Sequence, residues 1–255
     1  MFVFFKSLAN QPRVWKTPDC SYWQLYDEMS KESHLLVAGA TGSGKSVVIN
    51  GVISALLRKT PNQVQFILID PKWTELGGYE HLPHTIKYAC DTDAILDALQ
   101  MANDIMDQRM SETKRAGKRM YDGSDIYIII DELAEVMLSM KKTPAKSLLQ
   151  RILQLGRALR IHCIAGTQCP LAKVIPTELK VNFTGIVGLR TATAQHSRNI
   201  IMRAGCEQFP EPKFAHKAYG YFLSGGSLNL YTMPYVGDDE IGTLVNHWTT
   251  RKCWA

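Results

Sequence analysis

Gly39-Ala40-Thr41-Gly42-Ser43-Gly44-Lys45-Ser46 is the stretch from which the fold can be read. It has the form G-x-x-x-x-G-K-S. It follows the apolar run Leu35–Ala38 and leads into Val47–Arg58, which is apolar nearly all round and stops at Thr60-Pro61. A strand before and a helix after are the context a phosphate-binding loop requires. Its glycines let the backbone wrap phosphates with the N–H groups turned inward, and the start of the helix adds positive potential. Lys45 is expected to reach the β- and γ-phosphates of ATP, and the Ser46 hydroxyl to ligate Mg²⁺. The competing reading is a chance match in a Gly/Ser turn, and both flanking elements speak against it.

The same strand–helix rhythm continues on either side. Short apolar runs occur at 34–40, 65–70, 126–131, 162–168 and 183–189. They are continuous rather than alternating, as expected of strands covered on both faces. Between them, Thr92–Thr113 places Ile95, Leu99, Ala102 and Met106 at helical spacing, and Ala145–Arg160 does so through Leu148, Leu149, Ile152, Leu153 and Leu155. This alternation predicts an α/β fold with a mostly parallel, helix-covered sheet. Tyr219–Leu223 and Asn229–Tyr235 flank Ser224-Gly225-Gly226-Ser227 and predict a C-terminal β-hairpin. The expected organisation is a lead-in over residues 1–33, an ATPase domain over 34–245 and a tail over 246–255.

Composition sets limits on partners and compartment. The 255 residues are 45% hydrophobic and 21% charged with a net charge of +5, which permits a polyanionic partner without demanding one. The six cysteines, Cys20, Cys90, Cys163, Cys169, Cys206 and Cys253, form no C-x-x-C pair and suggest scattered thiols of a cytoplasmic protein. The apolar start Met1–Lys6 is too short to span a bilayer and predicts a strand or packing arm. No membrane insertion is expected, so any membrane involvement requires an anchored partner.

A second part of the site lies at Ile126-Tyr127-Ile128-Ile129-Ile130-Asp131-Glu132. A buried strand there delivers two carboxylates to its C-terminal end, where open α/β sheets bind ligands. Asp131 is expected to hold Mg²⁺ and Glu132 to act as general base on the attacking water. The alternative is an Asp-Glu pair favoured by a helix N-terminus. At a third strand end, Gln168 can hydrogen-bond a γ-phosphate or its water.

These residues, taken with others, resemble the motor domain of the FtsK/SpoIIIE family of DNA translocases. Ile69-Asp70-Pro71-Lys72, with Glu75-Leu76, Tyr79 and Pro83-His84, is similar to the family's D-P-K…E-L…Y…P-H segment. Asp131-Glu132-Leu133-Ala134-Glu135 resembles D-E-F-A-D. Arg157-Ala158, Ile161-His162, Thr167-Gln168 and Pro170 resemble R-A-x-G-I-H…A-T-Q-R-P. The resemblance covers roughly residues 30–245. It implies a RecA-like fold with the Gln168 strand between the P-loop and Asp131 strands, and a hexameric ring around duplex DNA. It also implies ATP sites at subunit interfaces, each completed by an arginine finger from the neighbour. By position that finger is Arg157, with Arg160 as rival; a guanidinium neutralises charge on a transferring phosphoryl group. Asp70, before Pro71, is expected to play a structural or coupling part.

Two segments are candidates for contact with the DNA backbone. Lys114-Arg115-Ala116-Gly117-Lys118-Arg119 falls in the predicted loop before the Asp131 strand, and Lys180 with Asn182 stands at a family-like spacing. Phosphate contacts of this kind give affinity without reading bases. Departures from the family include Cys169 after Gln168 and the residues Ala215–Leu223 in place of G-x-G-D-M-L. The family's N-terminal membrane region and C-terminal DNA-reading domain are not expected here. That pattern suits a motor for conjugative, plasmid or phage DNA transfer; the alternative is a genome-packaging or secretion ATPase.

Overall fold

The computed structural model of the protein describes residues 21–171, 173–212 and 218–250. The expected arm at Met1–Lys6, with Cys20 and Cys253, lies outside them. The helices are α1 (Ser21–Met29), α2 (Lys45–Lys59), α3 (Thr92–Arg115), α4 (Leu133–Ser139), α5 (Ala145–Leu155), α6 (Thr177–Lys180), α7 (Ala194–Ile201) and α8 (Asp238–Thr250). The strands are β1 (His34–Ala38), β2 (Val64–Ile69), β3 (Thr85–Ala89), β4 (Asp125–Ile130), β5 (Ile161–Thr167), β6 (Gly185–Gly188), β7 (Ala218–Ser224) and β8 (Ser227–Met233). They form one sheet in the order β3-β2-β4-β5-β1-β6-β7-β8. The strands from β3 to β6 run parallel, and the β7–β8 hairpin closes one edge antiparallel.

The strand period of two divides each strand between two cores. Leu36 and Ala38 of β1, with Ile126, Ile128 and Ile130 of β4, join the core beneath α3 and α5. Leu35, Val37, Tyr127 and Ile129 join the core beneath α1 and α2. Both faces are covered, so the runs are apolar without alternation. The expected order holds: β5 separates β1 from β4.

Several elements differ from the expectation. The helix after the P-loop starts at Lys45, and the predicted 145–160 helix ends at Leu155. A 3-10 turn, Gly156–Leu159, follows and stops at Arg160, whose φ of 55° is left-handed. Arg160 stands where the pattern R-A-x-G-I-H has glycine. The lead-in is partly integral: Tyr26 of α1 is fully buried, faces Gly51 of α2 across a gap too small for any β-carbon there, and donates to Pro234 O at 2.5 Å. Burying such a ring contributes on the order of 2 kcal/mol. The 245/246 boundary falls inside α8. The basic run is not all loop, since Lys114 and Arg115 form the last turn of α3.

Candidate nucleotide-binding site

The P-loop joins β1 to α2 across a turn that only glycine satisfies easily. Gly42 and Gly44 have φ of 70° and 97°, the left-handed region, and a β-carbon on Gly44 would stand 2.9 Å from the Ala218 Cβ. The loop is tied to its neighbours at both strands: Gly39 N donates to Thr167 O at 3.1 Å and Ala40 N to Arg190 O at 2.8 Å.

Three strand ends converge on this loop. Lys45, buried, donates to the Asp131 carbonyl at 2.8 Å and pairs with Asp131 Oδ1 at 2.5 Å. Thr41 donates to Gln168 Oε1 at 2.8 Å, joining the P-loop to the end of β5. Both oxygens of Glu132 accept from Gln168 N at 3.1 Å, and Oε1 also accepts from Ala134 N at 3.3 Å. Glu132 therefore caps α4 and clasps the β5 terminus together. Lys45, Asp131, Glu132 and Gln168 form one contiguous polar cluster, while Ser43 and Ser46 belong to the loop beside it. Gly166 makes the contact possible: a β-carbon there would overlap the Asp131 carbonyl oxygen and stand 3.0 Å from the Lys45 Cδ.

Lys45, Asp131 and Gln168 of the cluster, with Ala40, Thr41, Gly42, Gly44 and Ser46, line one side of a cleft of about 420 Å³, while Glu132 is buried and is not among the lining residues. Lys72, Thr74 and Glu75 form a second wall. Asp70 builds that wall: fully buried, its Oδ2 accepts from Glu75 N at 3.0 Å and Leu76 N at 2.9 Å. This is the structural part expected of Asp70. Pro212, Ala218, Met233 and Tyr235 complete the cleft from the hairpin side. No sequence signal marked these four, because the antiparallel edge returns them to the P-loop only in three dimensions.

Oxygen donors at the site fit a hard divalent cation. Ser46 offers a hydroxyl and Asp131 a carboxylate at the same cleft. Among the described residues no group of three His, Cys, Asp or Glu side chains could cage a metal. Two protein oxygens with the remainder from phosphates and water is the way Mg²⁺ is usually held.

Arg157 and the basic run lie at the other pole. Gly156–Leu159 precedes β5, whereas the P-loop follows β1, and β5 and β1 are parallel. The seven residues of β5 put roughly 20 Å between the two ends. Arg157 is exposed and makes no side-chain hydrogen bond or ion pair among the described residues. The rival Arg160 is engaged within its own chain, at 2.6 Å from Asp125 Oδ2.

Of the candidate DNA contacts, Lys114, Arg115, Lys118 and Arg119 are exposed, with Lys118 paired to Asp122 at 2.8 Å. Lys180 corrects the expectation. It is half-buried, its ammonium is turned onto the Asn199 carbonyl, and burial lowers its pKa. It is not presented as a free cation. Asn182 likewise bonds locally, to Glu178 O at 2.7 Å.

A P-loop at the tip of a parallel sheet, with a carboxylate pair on a strand tip two positions away, defines the RecA-like P-loop ATPase fold. Residues 21–125 match the sequence model of the FtsK/SpoIIIE family, and the chain carries a domain of that family. DNA translocase SpoIIIE of Bacillus subtilis (strain 168) is 32% identical over 248 residues, which are 88% of this chain and 31% of that protein. The chain thus spans about a third of the length of the curated relatives it matches. Among solved structures, the conjugation coupling protein TcpA of pCW3, in its monomer form with ATPgS, superposes with a TM-score of 0.74 at 24% identity. That match covers 86% of this chain and 66% of TcpA. The cytoplasmic domain of the Type VII secretion ATPase EccC of Thermomonospora curvata gives 0.71 at 21% identity, covering 86% and 28%. Among the described residues no helix is long and apolar enough to cross a membrane.

Proposed function

We propose that this chain is the ATP-hydrolysing motor of a DNA translocase and works as a hexameric ring whose ATP sites are each completed by the next subunit. One observation carries the reading. The nucleotide cluster lies at the carboxyl pole of the sheet, while exposed Arg157 and the exposed basic run lie at the amino pole. Arg157 cannot reach its own P-loop across that distance, so a finger role requires a second subunit.

In this reading the P-loop backbone from Gly39 to Ser46 cradles the ATP phosphates, and Lys45 exchanges the Asp131 carboxylate for the β- and γ-phosphates. Ser46 and Asp131 hold Mg²⁺, which supplies charge neutralisation at the phosphates when bound. Glu132 takes the proton of the attacking water, and Gln168 orients that water. For this, Glu132 must loosen its grip on the Gln168 N–H, so the β5 tip and the base move together. The partner subunit's guanidinium stabilises charge on the transferring phosphoryl group as ADP leaves. Ala218, Met233 and Tyr235 suit a flat apolar base. Lys114, Arg115 and Arg119, with Lys118, follow the DNA backbone and read no bases.

The relatives' DNA-translocase activity supports DNA as the track. The departures at Cys169 and Ala215–Leu223 favour a motor for conjugative, plasmid or phage DNA, acting in the cytoplasm beside a membrane-anchored partner where a membrane must be crossed. ATP turnover measured with and without DNA tests the reading. Duplex DNA should raise it, and Lys45→Ala should abolish it. Turnover that ignores both duplex and single-stranded DNA would remove the translocase assignment and leave a secretion motor of the same fold.

A further inference from the structure

The basic run and the finger segment are physically joined. Tyr121, two residues beyond Arg119, donates its backbone N–H to Ala158 O at 2.9 Å, next to Arg157. The Tyr121 ring lies under the Arg109 guanidinium, 4.5 Å from carbon to ring centre. Arg109, one and a half turns before the end of α3, is buried. Its Nη1 donates to Leu159 O at 2.8 Å and Arg160 O at 3.0 Å, the two carbonyls that end the finger's turn. The far side of that turn is pinned by Asp125, which accepts from Arg160 at 2.6 Å and sits 2.9 Å from His162 Nε2. Burial raises the Asp125 pKa, but these hydrogen bonds outweigh it and hold the carboxyl below its ordinary value. The turn bearing Arg157 is thus held on one side by a fixed anion and on the other by the two residues, Arg109 and Tyr121, that frame the basic run.

We propose that Tyr121 and Arg109 are positioning residues that transmit DNA contact at Lys114–Arg119 to Arg157, so that DNA engaged by one subunit sets the finger for the next subunit's ATP. The proposal rests on the translocase reading and adds the route of DNA stimulation. The geometry favours transmission over mere support. The link consists of three backbone carbonyls, those of Ala158, Leu159 and Arg160, and one stacked ring, and of the turn's side chains Leu159 joins the core. A shift of the run by a fraction of an ångström reaches Ala158 and Leu159 directly, and errors of that size in a catalytic group change rates strongly.

The test uses the full chain with a duplex oligonucleotide. DNA affinity is read by fluorescence anisotropy, and ATP turnover is read with and without DNA. Tyr121→Leu removes the ring and keeps the backbone N–H. It should leave DNA-free turnover and DNA affinity unchanged while cutting DNA stimulation about tenfold, the scale of a misplaced catalytic group. Tyr121→Phe keeps the ring and should stimulate as the wild type does. Arg109→Lys keeps the charge but loses the planar guanidinium that lies over the Tyr121 ring, and should reproduce the leucine variant. Full stimulation in Tyr121→Leu would overturn the proposal. So would stimulation lost only in proportion to DNA affinity, which would make the residue part of the DNA contact. Failure of the wider reading is distinct, because wild-type protein would then show no DNA stimulation to lose.

Discussion

At the carboxyl ends of β1, β4 and β5, the charged groups answer one another within the subunit. Lys45 sits on Asp131, Glu132 on the Gln168 amide, and Gln168 on Thr41. At the amino ends of the same strands the charges are arranged otherwise. Asp125, Arg160, His162 and Arg109 are spent on holding a turn, and the side chain presented outward is Arg157, with the basic run beside it. Under the proposed function, the first pole changes partners when phosphate arrives. The other is built to stay fixed and offer a cation outward. In the proposed ring, head-to-tail contact between two such sheets would bring each exposed guanidinium to a P-loop that its own chain cannot reach; heterologous contacts of this kind form rings where the rotation closes.

The sharpest way to break this contrast is Arg157→Ala. Loss of a finger in trans should lower turnover about 10³-fold, and mixing with Glu132→Gln protein should restore part of it, since each variant supplies what the other lacks. No recovery at any ratio would place Arg157 outside the ATP site. Glu132→Gln alone should cost about 10²-fold or more in hydrolysis while ATP binding persists; turnover near wild type would remove the glutamate as base. Gly166→Ala attacks the carboxyl pole from within. The new methyl group meets the Asp131 carbonyl and the Lys45 stem, so stability measured by denaturant should fall by about 1–3 kcal/mol and nucleotide affinity with it. An unchanged midpoint would mean that the strand ends separate more freely than their hydrogen bonds indicate.

The smallest effect concerns the amino pole and pH. His34, buried at the start of β1, is held at a pKa of about 3, first by burial and then by nearby His162. Its Nδ1 accepts from Cys163 N at 3.0 Å. Unfolded, the imidazole titrates near 6.5. Between those values the unfolded chain binds a proton that the folded chain refuses, so stability falls as pH drops below about 6.5, and this loss ends near 3. The slope from this residue is at most about 1.4 kcal/mol per pH unit. His34→Asn, which retains an acceptor for Cys163 N, should flatten unfolding free energies measured between pH 7 and 5. An unchanged slope would assign the acid sensitivity elsewhere, with His84, whose pKa burial also lowers, the next residue to test.

The carboxyl pole was largely legible in the sequence because its groups sit at the tips of apolar strands. The run Ile126–Ile130 fixes where Asp131 emerges, and the glycines fix how the P-loop turns. Strand β3 was not among the expected strands because Thr85–Ala89 is short, half-buried and at the sheet edge. Helices α1 and α8 escaped for a different reason: their apolar faces make sense only in three dimensions, α1 against α2, and α8 against α2 and the turn Gly77–Tyr79. The amino pole was the less legible end. Nothing in the spacing of Arg157 and Arg160 says that one points outward and the other folds back, since that depends on a left-handed residue and on an aspartate 35 positions away. The inward turn of Lys180 was not legible because its ammonium reaches a carbonyl of α7, a contact between segments that spacing does not relate.

The left-handed Arg160 has a consequence for how this sequence can drift. A non-glycine residue in that conformation costs about 1–2 kcal/mol, and here the Asp125 ion pair sets an attraction against that cost. Glycine at 160 would relieve the backbone yet leave Asp125 to His162 alone, and loss of Asp125 would leave the arginine strained without reward. The two positions are therefore epistatic. In a double-mutant cycle, Asp125→Asn should be more damaging beside Arg160 than beside Arg160→Gly, and a lineage carrying this arginine holds its aspartate hostage.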